Sequence, residues 1–125
     1  MIEEEETSDV REAVICFQFS ERIKSELIIA SRLLGEINGL KGDEFAGGKK
    51  ILLSFLEALL GEINLANNIL KQQNLSEAGV KVEKTMEKVR LDEYSEATRR
   101  VSEAISHITT IGGRAMQILK QRDLL

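Results

Sequence analysis

Proline and tryptophan are absent from this 125-residue chain, which has only one tyrosine, one histidine and one cysteine. The lack of proline means that no ring interrupts a helix from within. With few aromatic rings, the core must be built mainly from Leu, Ile and Ala, and this composition favours helices. The length suits one hydrophobic core. We therefore expect a single all-α domain that spans residues 1–125.

The scarcity of reactive residues excludes several classes of protein. Cys16 is the only cysteine, so it cannot form an intramolecular disulfide, and its place on an apolar stripe indicates an inert core thiol. A ferritin-like di-metal bundle needs two Glu-x-x-His motifs, whereas this chain has a single histidine, preceded at four residues by Glu103. We expect no metal and no cofactor.

The charge pattern and the hydrophobic runs limit the partners. A net charge of -4 with interspersed acids and bases argues against DNA binding. The sequence shows neither a signal peptide nor an apolar run long enough for a membrane span. We therefore expect a soluble, cytoplasmic protein with no membrane contact. The acidic run Glu3 to Glu6 contributes most of the charge imbalance, and we interpret residues 1–8 as a frayed, solvated end.

Apolar residues recur with the period of a helix in four segments. The pattern predicts helices over about 10–38, 48–73, 77–90 and 93–121, with a glycine-rich turn at 38–43. Asp92 is a candidate N-cap for the last helix. These segments predict an antiparallel four-helix bundle. No glycine or proline separates the third and fourth segments, so a single long helix within an intertwined dimer is the alternative.

Six residues, Leu-Leu-Gly-Glu-Ile-Asn, occur twice, at 33–38 and at 59–64. Helical phasing places Glu36 on the polar side of the first helix and Glu62 within the apolar arc of the second. A carboxylate in an apolar arc needs a charged or hydrogen-bonding partner. Glu62 is thus a candidate buried carboxylate, and two interpretations stay open: a carboxylate in a cleft or metal site, or one at a helix–helix or subunit edge with a basic partner. The second helix is apolar over more than half its circumference, so it needs neighbours on several sides.

The fourth predicted helix carries the most regular apolar pattern, with spacings that alternate between three and four residues as in a heptad seam. Gly112 lies beside this seam and would allow a facing helix to approach closely. Two interpretations stay open: the core face of an ordinary bundle helix, or an interface with a second subunit. The residues concerned are Tyr94, Ala97, Val101, Ala104, Ile108, Ile111, Ala115 and Ile118.

The same helix contains Arg100 and His107 in an Arg-x6-His spacing. This spacing resembles the catalytic motif of HEPN domains, helical bundles of about this size that often cut RNA. The resemblance implies His107 as general acid or base and Arg100 as a stabiliser of phosphate charge. The chain departs from the family pattern at Val101, where a small polar residue frequently follows the arginine. Acidic residues at 96 and 103 offer another explanation, a solvated ion-paired face.

The combined observations favour a small helical-bundle protein that acts through protein contacts without enzymatic activity. We expect the partner to be a second copy, giving a homodimer, or another helical protein. The alternative is a HEPN-like RNA-cleaving or nucleotide-binding domain that uses Arg100 and His107, and RNA is expected as a partner only in that case.

Overall fold

Four α-helices account for nearly all of the computed structural model, which describes the backbone of residues 2–125 and the side chains of residues 9–125. The helices are α1 (Ile2–Asn38), α2 (Gly42–Leu70), α3 (Gln73–Arg90) and α4 (Tyr94–Gln121). No strand occurs among residues 2–125. The prediction of an all-α four-helix bundle is confirmed.

The helices form a closed ring in chain order. Each helix packs against the next one along the chain, and α1 packs against α4 to complete the bundle. The connections 39–41, 71–72 and 91–93 are short. Short connections make successive helices antiparallel neighbours. Consequently α2 packs along α1 and α3, with Phe45 near its start also touching Tyr94 of α4, and the part of its surface that points away from these helices is open.

Several helix bounds differ from the predicted ones, among them the end of α2, which lies at Leu70 instead of near residue 73. α1 begins at Ile2 instead of near residue 10, and the side chains of the acidic run, predicted to be frayed, lie outside the described residues. α2 begins at Gly42, because the Gly-rich segment 42–48 is helical and not part of the turn. α3 begins at Gln73, since the reversal needs only Lys71, in the left-handed region at φ 50°, and Gln72.

A real turn separates α3 from α4, so the alternative of one long helix with an intertwined dimer is wrong. Asp92 has a φ of 59° and therefore does not act as the N-cap, a position that Glu93 occupies. Lys49 of α2 holds the turn in place: its Nζ donates to the carbonyl oxygen of Arg90 at 3.0 Å and to Oδ1 of Asp92 at 2.8 Å.

The core is mainly aliphatic and forms one continuous cluster. α1 and α4 approach closely where the buried Ser20 faces Gly112: a Cβ added at Gly112 would lie 3.1 Å from Cβ of Ser20. None of the helices described here is long and apolar enough to cross a membrane. The largest side chains with almost no exposure include Ile23, Leu27, Leu34, Leu52, Leu56, Leu59, Ile63, Leu75 and Ile108.

Candidate interaction surface

The open side of α2 carries a line of mostly apolar side chains, several of which remain largely exposed. Ile51, Leu65 and Ile69 are 71%, 55% and 54% exposed. A heptad-like alternation of four- and three-residue steps keeps such residues on one face of a helix. The α2 line consists of Ile51, Phe55, Ala58, Glu62, Leu65 and Ile69.

A second line with the same spacing runs along the neighbouring edge of α1. Its apolar members range from half-buried side chains packed against the core, such as Phe19 and Leu33, to Ile29, which is 47% exposed. Arg22 contacts Glu62 and so joins the two lines. The α1 line consists of Ile15, Phe19, Arg22, Glu26, Ile29 and Leu33. We call the two lines together the α1–α2 face.

The register of the two antiparallel helices divides this face into three zones. With Arg22 opposite Glu62, equal helical rise places Phe19 level with Leu65 and Ile29 level with Phe55. One apolar zone therefore lies towards the α1–α2 turn and another towards the opposite end. The ionic cluster Arg22, Glu26 and Glu62 separates them.

One guanidinium bridges two carboxyl groups in the ionic cluster. Nη2 of Arg22 donates to Oε1 of Glu62 at 2.5 Å, and its Nε donates to Oε1 of Glu26 at 3.3 Å. The Arg22 side chain is 66% exposed, whereas those of Glu26 and Glu62 are 25% and 29% exposed. Oε2 of Glu62 is buried and accepts no hydrogen bond from the described residues when both carboxyl groups are ionised.

The second carboxyl group supplies the missing donor when it is protonated. Burial raises the pKa of Glu26 above its ordinary value, and the hydrogen bond and negative charge of Glu62 raise that pKa further. A proton on Glu26 can be donated to Glu62, as in other carboxyl pairs that share one site. The cluster then holds one positive and one negative charge instead of a net negative charge.

The two copies of the repeated hexapeptide occupy different environments. Glu36 is exposed, and Glu62 is partly buried beside Arg22. The difference does not arise from helical phase, because each glutamate directly precedes a buried isoleucine, Ile37 or Ile63. It arises from position along the bundle, since Glu62 meets Arg22 in the middle of α1 whereas Glu36 lies in the last turn of that helix. Arg22 and Glu26 were not identified from the sequence as members of this site. Their signal was the heptad spacing along α1, which continues through both charged residues.

The regular seam of α4 lies in the core of the chain itself. Seven of its eight residues are buried, and Ile118 is partly buried against the core. α4 packs between α1 and α3, so the seam faces these helices, and Gly112 meets Ser20 beside it. This placement agrees with the core-face interpretation, and a second subunit would reach the seam only by opening the bundle.

Arg100 is held by acidic neighbours on α4. Its Nη1 donates to Oε1 of Glu103 at 2.6 Å, and its Nη2 donates to Oε2 of Glu96 at 3.4 Å. Oε2 of Glu103 also contacts Nζ of Lys81 on α3 at 2.5 Å. The hydrogen bond from Lys81, together with Arg100, lowers the pKa of Glu103. The arrangement is an ion-pair network that connects α3 to α4 and occupies much of the guanidinium.

His107 makes a separate contact with α3. Its Nδ1 lies 2.9 Å from Oδ1 of Asn74, which suits a tautomer in which Nδ1–H donates to the amide oxygen. Seven residues separate His107 from Arg100, a distance of about 10 Å along the helix axis. The described contacts therefore tie each side chain to its own neighbours and do not join the two in one hydrogen-bonded group.

Cys16 lines a cavity of about 210 Å³ between α1 and α4, together with Ile111 and Ala115. Burial raises the pKa of the Cys16 thiol, and the charge of Glu12 adds to this effect despite a hydrogen bond with Ser20. A thiol with a raised pKa is a poor nucleophile at neutral pH.

Comparison of the chain with models of known protein families, with curated proteins and with solved structures finds no match.

Proposed function

We propose that this protein is a non-enzymatic helical module that forms a homodimer through the α1–α2 face. The observation that carries the proposal is the pair of heptad-spaced lines, which leave Ile51, Leu65 and Ile69 more than half exposed beside Ile29. Water solvates such side chains poorly, and covering them is favourable by roughly 25 cal/mol per Å² of apolar surface.

A second copy is the occupant because the α1–α2 face is complementary to itself. A two-fold axis through the central ionic cluster places apolar zones against apolar zones and the cluster against its own copy, which is the arrangement an isologous interface requires. Two antiparallel helices with heptad spacing can pack against an identical pair by knobs-into-holes contacts. The exposed Arg22 lies where it can reach a carboxylate of the partner copy.

The size of the face agrees with a weak but specific dimer. Each line extends over 18 residue steps, from 15 to 33 and from 51 to 69. At 1.5 Å per residue and about 20 Å across two helices, the face measures about 540 Å² per copy before side chains interdigitate. Two copies would bury about 1,100 Å², just above the ~1,000 Å² expected of a biological interface. We expect a dissociation constant of about 1–100 µM.

The test compares the mass of three proteins by sedimentation velocity over a concentration series. Leu65→Glu places a charge in one apolar zone, and Val80→Glu makes the same change at an exposed aliphatic residue of α3, outside the α1–α2 face. Half-exposed Leu65 contributes about 1 kcal/mol per copy on burial. Because the dimer loses this contribution in both copies, we expect a dissociation constant at least ~30-fold higher for Leu65→Glu. Val80→Glu should dimerise like the wild type.

Two results would contradict the proposal. One is a wild-type chain that stays monomeric at several hundred micromolar. The other is a Leu65→Glu variant that dimerises as tightly as Val80→Glu. Circular dichroism of all three proteins provides the control for folding, because both substituted side chains are solvent-exposed and should leave the helical signal unchanged.

A further inference from the structure

We infer that dimerisation through the α1–α2 face is coupled to protonation, with the Glu26–Glu62 carboxyl pair as the site where the proton is taken up. This inference rests on the proposed homodimer, because the pair lies in the centre of the same face. The proton comes from solvent and is held between the two carboxyl groups, and no other bond changes.

The geometry of the cluster creates the coupling. A single guanidinium serves two carboxylates, and Oε2 of Glu62 is buried without a donor among the described residues while both carboxylates are ionised. In a two-fold dimer, two such clusters meet, so four carboxylates would face two guanidinium groups in a dehydrated interface. That excess of negative charge opposes association. One proton per copy balances the charges and supplies each Oε2 with a hydrogen bond.

Few other charged groups act on the pair. Glu26 faces Arg22 on its own helix and Glu62 on α2. α4, the other neighbour of α1, packs along the opposite edge of that helix, where Ser20 meets Gly112. α3 is not adjacent to α1 in the ring of helices. The titration of Glu26 therefore depends mainly on these three side chains and on whatever covers them.

The direction of the pH dependence follows from the thermodynamic linkage between proton binding and dimerisation. The pKa of Glu26 is already raised in the single chain, by burial first and by Glu62 second. Covering the cluster removes more water and raises that pKa further, so the dimer binds protons more tightly than the monomer. Association is then favoured at acidic pH and weakens as pH rises through the raised pKa of Glu26. Because two protons are taken up per dimer, the dissociation constant can change by at most about 100-fold per pH unit.

The experiment measures the dimer dissociation constant by sedimentation at about pH 5 and about pH 7.5. For the wild type, we expect the constant to be at least ~10-fold larger at the higher pH. Glu26→Gln carries a permanent amide donor in place of the shared proton. It should dimerise at both pH values with nearly equal constants. Glu57→Gln, at an exposed carboxylate of α2 outside both lines, is the matched control and should keep the wild-type pH dependence.

A second control separates specific association from general precipitation near the isoelectric point of about 5.2. Leu65→Glu should remain monomeric at the acidic pH, because it disrupts an apolar zone of the α1–α2 face and leaves the carboxyl pair intact. If Glu26→Gln does not fold, Glu62→Gln gives the same readout from the other side of the pair.

The outcomes distinguish the two ideas. A wild-type dimer whose constant is the same at both pH values, or a Glu26→Gln dimer that keeps the full pH dependence, overturns the coupling and leaves the homodimer standing. The absence of any dimer at either pH overturns the proposed function and the coupling together. A pH-dependent wild type with a pH-independent Glu26→Gln variant supports both.

Discussion

Two adjacent glycines on α4 offer a direct measurement of how closely that helix packs against α1. A Cβ added at Gly112 would lie 3.1 Å from Cβ of Ser20, whereas a Cβ added at Gly113 would meet nothing within 4 Å. Both positions are helical. Gly113→Ala should therefore gain the helix propensity of alanine, about 0.8–1 kcal/mol, without a packing cost.

Gly112→Ala should gain the same helix propensity but also introduce a steric clash with Ser20. A contact of 3.1 Å between two carbons is several tenths of an ångström inside their optimal separation of about 3.5–4.0 Å. Ser20 is buried and its Cβ is fixed to the α1 backbone, so relief requires movement between the helices. Overpacking of this kind costs about 1–3 kcal/mol. We expect Gly112→Ala to be less stable than Gly113→Ala by about 1–3 kcal/mol.

Denaturant unfolding of the two variants and the wild type at one fixed protein concentration measures these differences. A third variant, Gly112→Ala with Ser20→Gly, removes the opposing Cβ. In a double-mutant cycle the two changes should show a favourable coupling of about 1 kcal/mol or more. If Gly112→Ala gains as much stability as Gly113→Ala, the close approach of α1 and α4 at Ser20 is refuted.

Three further outcomes are expected. Tyr94→Phe should raise stability by about 1 kcal/mol in thermal unfolding, because the buried hydroxyl has no partner among the described residues and the ring contact with Phe45 is kept. A loss of stability would show that the Tyr94 hydroxyl makes a hydrogen bond in the folded protein. Cys16 should react with a thiol reagent much more slowly in the folded protein than in denaturant, because it is buried and its pKa is raised; equal rates would contradict its burial. The pKa of Glu103 is lowered in the folded state, so the ionised carboxylate should stabilise the fold at neutral pH and lose that effect as pH falls below about 4.3. Glu103→Gln should therefore weaken the acid dependence of the free energy of unfolding, and an unchanged dependence would contradict the pairing with Lys81.

The fold class could be predicted from the sequence because the core positions repeat with one period. In α4, every residue with the alternating spacing is buried or half-buried, although the pattern missed the buried Leu119. The helix starts could not be predicted as well, because glycine has a low helix propensity and the segment 42–48 contains three of them. There the helix is supported by tertiary contacts: Phe45 packs edge-to-face on Tyr94, with ring centroids 5.6 Å apart.

The candidate surface was harder to infer from the sequence, because a heptad pattern identifies a face but not its neighbour. The α4 seam and the α2 line have the same spacing, yet the first packs inside the chain and the second remains open. Both helices have two packed neighbours, so the number of neighbours does not distinguish them. What differs is phase: the α4 seam is the buried stripe of its helix, whereas the α2 line lies beside the buried stripe of α2, which is formed by Leu52, Leu56, Leu59, Ile63, Ala66 and Leu70.

The excess of apolar surface on α2 also has a physical consequence for the monomer. Folding of one chain gains little from Leu65 or Ile69, because more than half of each side chain remains in water. A glutamate or lysine at either position would satisfy the same helix and improve its solvation. The free energy that these side chains can contribute is therefore realised only when a second surface covers them. That surface must also tolerate the charge of the central cluster, and an identical face carrying a shared proton meets both requirements.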